Sequence, residues 1–257
     1  MNCQKYHMMR SNFILLRSFS QICRRDMSSL RSRPYTVVVE GNIGSGKTTF
    51  MDHFKQYEDV ALFSEPVDKW TNVESHNLLG IMYKDPKKWA MTFQSYVQLT
   101  MVNMHKQRCP EPIKMMERSL YSARFCFVEN LYENGYLDGP EYVVLDEWFK
   151  WICSNLDIGV DMIVYLRTHP EVALERMKLR GREEESCVSL SYLRQLHNLH
   201  EKWLCPGGVP ITSPPVYVVD ANRSFSEMEK EMKRISPLIC NRNNGSLTND
   251  KAAQNLS

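Results

Sequence analysis

Five short apolar runs punctuate the chain, at 36–40, 60–64, 113–116, 161–166 and 216–219. Each is rich in Val, Ile, Leu or Met and lacks the polar–apolar alternation of a strand with one wet face, which is how buried parallel strands read. The stretches between them carry helical spacing, so the expected architecture is an α/β sheet with crossover helices. A helix expected over 86–105 places Gln94, Val97 and Met101 on one face. Another is expected around 145–152, apolar at Leu145, Trp148, Phe149 and Ile152, which makes Asp146 a solvated acid on its polar side. Ligands of such sheets sit beyond the carboxyl ends of the strands. The residues that follow each run therefore carry the functional expectation.

Composition narrows the class. At 257 residues with 43% hydrophobic, there is room for one large or two small domains. No apolar run approaches the ~20 residues of a membrane span. The eight cysteines are scattered without a Cys-x-x-Cys pair, so neither a disulfide scaffold nor a zinc module is expected, and a reducing compartment fits. The net charge of +2 is uneven. Residues 1–33 hold seven Lys and Arg against Asp26 alone, a balance of +6 that leaves the rest at −4. A mildly acidic body argues against a general nucleic-acid surface. The arm also has six serines and the apolar patch Phe13-Ile14-Leu15-Leu16. Arg-rich, Ser-rich and acid-poor, it reads as a mitochondrial transit peptide. The alternative is a basic leader with no address, and initiation at Met27 would give a cytosolic or nuclear protein. The folded domain is expected over 34–240, with an Asn-rich disordered tail at 241–257.

Gly41-Asn42-Ile43-Gly44-Ser45-Gly46-Lys47-Thr48 follows the first strand and opens a helical segment. This is the G-x-x-x-x-G-K-[ST] phosphate loop in its required context. Glycines let backbone N–H groups wrap phosphates, Lys47 reaches the outer ones and the Thr48 hydroxyl suits Mg²⁺. Two acids compete as the second metal-side group: Asp146 after Tyr142-Val143-Val144-Leu145, and Glu117 after the third strand. The helical spacing around Asp146 favours Glu117. Neither an Asn-Lys-x-Asp guanine reader nor an Asp-x-x-Gly switch is present.

Three segments in order then carry a resemblance: Glu40 through Thr49, Glu65-Pro66-Val67-Asp68-Lys69-Trp70, and Glu117-Arg118-Ser119. Together they resemble the deoxyribonucleoside kinase family over about residues 35–220. The resemblance implies a P-loop kinase fold with a five-stranded parallel sheet and a basic lid, ATP as donor, Mg²⁺, and the 5′-hydroxyl of a deoxyribonucleoside as acceptor. It implies that Glu65 is the base, that Arg118 braces it, and that Glu117 and Thr48 hold the metal. Thr49 and the glycines join Lys47 on the phosphates, with Arg176, Arg180 and Arg182 as the lid cluster. On spacing alone Gln94 is a surface amide over a Met-rich stripe. The family position makes it the base reader, since its amide offers a donor and an acceptor. Phe93 and Phe127 become walls, Trp70, Met82, Val97, Met101 and Ala123 shape the pocket, and Tyr83 and Glu185 take the 3′-hydroxyl. A homodimer joined through helices and inhibition by the end-product triphosphate are also implied. His197 and His200 are read as structural. The absence of charge at Met101 and Ala123 points to pyrimidines with tolerance of purines. Two rivals stand: a nucleoside monophosphate kinase, and a non-catalytic nucleotide-dependent nucleic-acid-binding protein.

Overall fold

The computed structural model describes residues 33–205 and 214–240. The leader and tail expectations lie outside the described residues. The strands are β1 (Tyr35–Gly41), β2 (Val60–Phe63), β3 (Ile113–Glu117), β4 (Met162–Arg167) and β5 (Val216–Asp220). They match the five apolar runs to within a residue or two. All pair in parallel, in the order β2-β3-β1-β4-β5. Successive residues of β1 serve opposite faces, as strand geometry requires. Val38 joins a core with Met116, Ile163 and Tyr165, while Val37 and Val39 join another with Met115, Val164 and Leu166.

Helices cover both faces. Helix α1 (Lys47–Asp52) continues as a 3₁₀ turn, and short helices α2 (Val67–Thr71) and α3 (Leu78–Lys84) precede the long α4 (Pro86–Lys106). Asp85 caps α4 by accepting from the Lys88 N–H, and Pro86 opens it at a position where no N–H is missed. Its far end is tied to the sheet by Lys114 on β3. The buried ammonium donates to the carbonyls of Met104, His105 and Gln107 at 2.6, 2.8 and 2.7 Å, a cation on the negative end of a helix.

After β3 one helix, α5, runs over 120–133. Its middle, Ala123–Val128, is a π turn between two α segments. Arg124 in that turn is buried and bonds three ways: Nε to Asp146 Oδ1 at 2.8 Å, Nη1 to Glu129 Oε2 at 2.8 Å and Nη2 to the Tyr142 hydroxyl at 2.6 Å. Asp146 and Tyr142 lie on α6 (Gly139–Asn155). Here two expectations are corrected. Asp146 is no solvated acid but a largely covered partner of Arg124 and Lys150, which hold its carboxyl below the usual range against the effect of burial. Trp148 does not join Leu145, Phe149 and Ile152 in the core. It is 57% exposed, because those three complete the buried stripe and leave Trp148 on a second apolar face with Val144 and Trp151. The remaining helices are α7 (Pro170–Arg180), α8 (Leu190–Leu204) and α9 (Phe225–Cys240).

Candidate active site

The carboxyl ends of β1, β2 and β3 meet at one edge, which brings the phosphate loop, Glu65 and Glu117-Arg118 together. Two glycines make the loop possible. Gly44 has φ +75°, and a Cβ there would sit 2.2 Å from the Ala173 carbonyl oxygen on α7. Gly46, at φ +89°, forms the N-cap of α1. Both lie where L side chains are strained. Asn42 fixes the loop from inside: Nδ2 donates to the Leu193 carbonyl at 2.8 Å and Oδ1 accepts from Ile43 N at 2.9 Å. Lys47 is 5% exposed and donates to the Asn42 carbonyl at 2.9 Å. Burial, and then the Arg118 charge, bring its ammonium down to about 8. Thr48 Oγ1 lies 3.2 Å from each oxygen of Glu117. Thr49 is exposed on α1, outside the cavity lining.

Next to the loop, Arg118 Nε stands 2.9 Å from Glu65 Oε1. Arg118 has φ +62°, an unusual value for a non-glycine residue, and is 4% exposed. Its Nη1 donates to the Gly41 carbonyl at 2.8 Å, and the guanidinium lies over the Phe127 ring at 4.8 Å. Burial raises the Glu65 carboxyl, with Arg118 and Lys47 opposing. For Arg118, burial acts downward, but the carboxylates of Glu65, Glu40 and Glu117 hold it above its ordinary value.

Beyond this pair opens a cavity of about 1090 Å³ including its mouth and the solvent in it. Trp70, Met82, Tyr83, Phe93, Gln94, Val97, Met101, Ala123, Phe127 and Glu185 all line it. Phe93 meets Trp70 edge-on at 5.8 Å, and Trp70 Nε1 donates to Thr100 Oγ1 at 2.9 Å, which locks the wall. Gln94 is 1% exposed, yet its Oε1 has no hydrogen-bond partner. Burying an amide acceptor unpaired costs about 1–3 kcal/mol. The site is therefore incomplete without a donor from elsewhere.

The three lid arginines part company. Arg180 and Arg182 line the cavity and both pair with the buried Glu185, Arg182 at 2.7 Å. Gly181 between them turns at φ +66°. Arg176, a turn earlier on α7, lies beside the phosphate loop, its Nη1 4.0 Å from where a Cβ on Gly46 would sit, and donates to the carbonyls of Ala221 and Arg223 at 2.8 and 3.3 Å. Glu185 thus pairs with both Arg180 and Arg182. Tyr192 also lines the cavity, edge-on to Tyr83 at 6.4 Å. The sequence reading missed it, because a Tyr one turn into an amphipathic helix looks like ordinary core. His200 is fully buried and stacked on Tyr165, with Nδ1 2.6 Å from the Leu196 carbonyl, and lies outside the cavity lining.

Comparison with known proteins agrees with this geometry. The family model "Deoxynucleoside kinase" matches residues 37–242. The chain is 47% identical over 203 residues to human (Homo sapiens) "Thymidine kinase 2, mitochondrial", covering 79% of this chain and 77% of the relative. It is 34% identical over 235 residues to mouse (Mus musculus) "Deoxycytidine kinase", covering 80% and 90%. To chicken (Gallus gallus) "Deoxycytidine kinase 2" it is 32% identical over 228 residues, covering 77% and 86%. A phosphate loop on a five-stranded parallel sheet, a cavity beside it and these matches lead to one conclusion: the chain belongs to the deoxynucleoside kinase family of phosphotransferases.

Proposed function

We propose that the cavity holds a deoxyribonucleoside with its base against Gln94 and its 5′-hydroxyl between Glu65 and the phosphate loop, where it accepts the γ-phosphoryl of ATP. One observation carries the reading: the buried, unpartnered Oε1 of Gln94 on the cavity wall. Its amide matches the N3–H and O4 of thymine or, turned over, N3 and N4 of cytosine. The names of the relatives point to the same two pyrimidines. Uncharged Met101 and Ala123 leave purines admissible.

Glu65 accepts the 5′-hydroxyl proton. In a loose phosphoryl-transfer transition state the nucleophile loses that proton late, so placement outweighs basicity. Arg118 supplies the placement. Lys47, Arg180 and Arg182 take up charge on the phosphates. Tyr83 and Glu185 take the 3′-hydroxyl. Thr48 and Glu117 offer a hydroxyl and a carboxylate side by side, hard oxygen donors that suit a Mg²⁺ completed by phosphates and water. Bound there, Mg²⁺ supplies neutralisation of phosphate charge. A monophosphate kinase would need a spare cation in the acceptor cavity. Helix α4 instead presents Phe93, Gln94, Val97 and Met101 to that cavity.

A steady-state panel of the four deoxynucleosides with ATP and Mg²⁺ tests the acceptor, with thymidine and deoxycytidine expected to lead. Glu65→Gln should lower kcat by about 10²-fold or more and keep nucleoside binding. Near-normal kcat would remove Glu65 from the role of base.

The exposed face of Val143, Val144, Trp148 and Trp151 on α6 fits a homodimer joined through helices. Sedimentation should give a dimer, and Trp148→Glu should shift it to monomer. For the basic arm, a fluorescent protein fused after Pro34 should enter mitochondria, and Arg10, Arg17, Arg24 and Arg25 changed to Gln should stop it.

A further inference from the structure

A parallel strand buried on both faces calls for apolar residues, yet β1 carries at its penultimate residue, Glu40, a carboxyl group that is 0% exposed. Its Oε1 accepts from Ser119 Oγ at 2.5 Å, and its Oε2 has no partner. Burial pushes this carboxyl up to about 7, with Ser119 and then Arg118 opposing. Such a group is costly in a core unless something is gained by it.

The gain lies in what Glu40 and its neighbours hold. The β1–β3 ladder ends where Val39 pairs with Glu117. From there Val39 O accepts the Arg118 N–H at 3.0 Å, Glu40 accepts the Ser119 hydroxyl, and Gly41 O accepts Arg118 Nη1. Three consecutive residues of β1 thus grip the Arg118-Ser119 turn, whose backbone stands at φ +62°. A non-glycine residue held there is strained and persists only where its surroundings over-determine it. Ser119 is pinned from its other side as well, since its hydroxyl caps α5 by accepting from Ser122 N.

We infer that Glu40 is a positioning residue for phosphoryl transfer: by holding Ser119 it keeps the strained Arg118 turn in the one setting that sets the guanidinium against Glu65. The inference rests on the roles given above to Glu65 and Arg118. It requires an acceptor at Glu40 rather than a charge. A displacement of about 1 Å at a catalytic group can remove 10²-fold in rate, so the effect belongs in kcat.

The test compares Glu40→Leu, Glu40→Gln, Ser119→Ala and the Leu–Ala pair, with kcat, nucleoside Kd from tryptophan fluorescence, and Tm. Glu40→Leu keeps much of the volume and loses the acceptor. Its kcat should fall about tenfold or more, with Kd held within about threefold. Glu40→Gln keeps an acceptor oxygen and should recover most of kcat. The pair should lose no more kcat than Glu40→Leu alone, because both changes cut the same bond, while its Tm falls further with the lost cap of α5. If Glu40→Leu does not fold, Ser119→Ala alone should show the same split between kcat and Kd. The inference is overturned if Glu40→Leu stays within about twofold of the parent kcat, if Gln falls as far as Leu, or if kcat, Kd and Tm decline together as in general loosening. Glu65→Gln run in parallel separates the two failures. A large loss there beside an unmoved Glu40→Leu rejects only Glu40, whereas an unmoved Glu65→Gln rejects the base assignment itself.

Discussion

The phosphate end and the nucleoside end of the cleft are built on opposite plans. The proposed phosphate end is eight consecutive residues, Gly41 to Thr48, and it depends on glycines at positive φ, of which Gly44 is pressed against α7. The nucleoside end is assembled by side chains from positions as far apart as Glu65 and Tyr192. It depends on a buried amide oxygen left without a partner. Conformation specifies one end, unmet hydrogen-bonding capacity the other. The first should resist an added atom at Gly44, and the second should be removable without harm to the fold.

Gly44→Ala presses hardest on that contrast. Its Cβ would lie 2.2 Å from a backbone oxygen at a strained φ. We expect kcat/KM for ATP to fall about 10³-fold or more and Tm to drop by several degrees. Unchanged kinetics would show that the loop can move off α7. Gln94→Leu should divide function from stability. Thymidine kcat/KM should fall about 10²-fold, while the free protein gains about 1 kcal/mol because an unpaired buried acceptor is gone. A loss of stability there would mean that Oε1 meets a donor in the free protein. Val97→Ala with Met101→Arg should shift preference, lowering thymidine use more than purine use by about tenfold. Equal losses for all four nucleosides would remove these residues from the base site.

A pH effect concerns the core where His200 stacks on Tyr165. Burial holds the His200 imidazole down to about 3, so the folded protein keeps it neutral while an unfolded chain protonates it near 6.5. Between those values the unfolded state binds the extra proton. Stability should therefore fall as pH drops below about 6.5. His200→Phe keeps a ring against Tyr165 and should flatten this acid limb in a Tm-against-pH series. An unchanged slope would place the acid sensitivity elsewhere.

The same contrast explains what could be read from the sequence. Val37, Val38 and Val39 announce a buried strand, and the loop after them carries its chemistry in consecutive residues. The fold and the phosphate end were therefore legible from pattern alone. The nucleoside end was not. Gln94 reads as a surface amide until α4 is seen to bury it, and its position came from family resemblance. Glu40 stood in plain view beside the loop, but a carboxyl at a strand end is normally wet. Only the fold puts Ser119 over it. Trp148 and Asp146 misled for a related reason: helical spacing reports that α6 is amphipathic, not which of two apolar faces meets the core or which cation comes from α5.

The π turn in α5 has a consequence for chain length. A π turn carries one residue more than regular helix needs, and each residue of a helix advances it by about 100°. Deleting one residue within 124–127 would restore an unbroken α ladder and leave a sounder helix. It would also swing the segment before it relative to the segment after it, so Ala123 and Leu131 could no longer face the same cavity. Arg124 could not serve both Asp146 and Glu129. Substitutions can therefore retune this wall of the pocket one side chain at a time, but the number of residues in it is not free to drift.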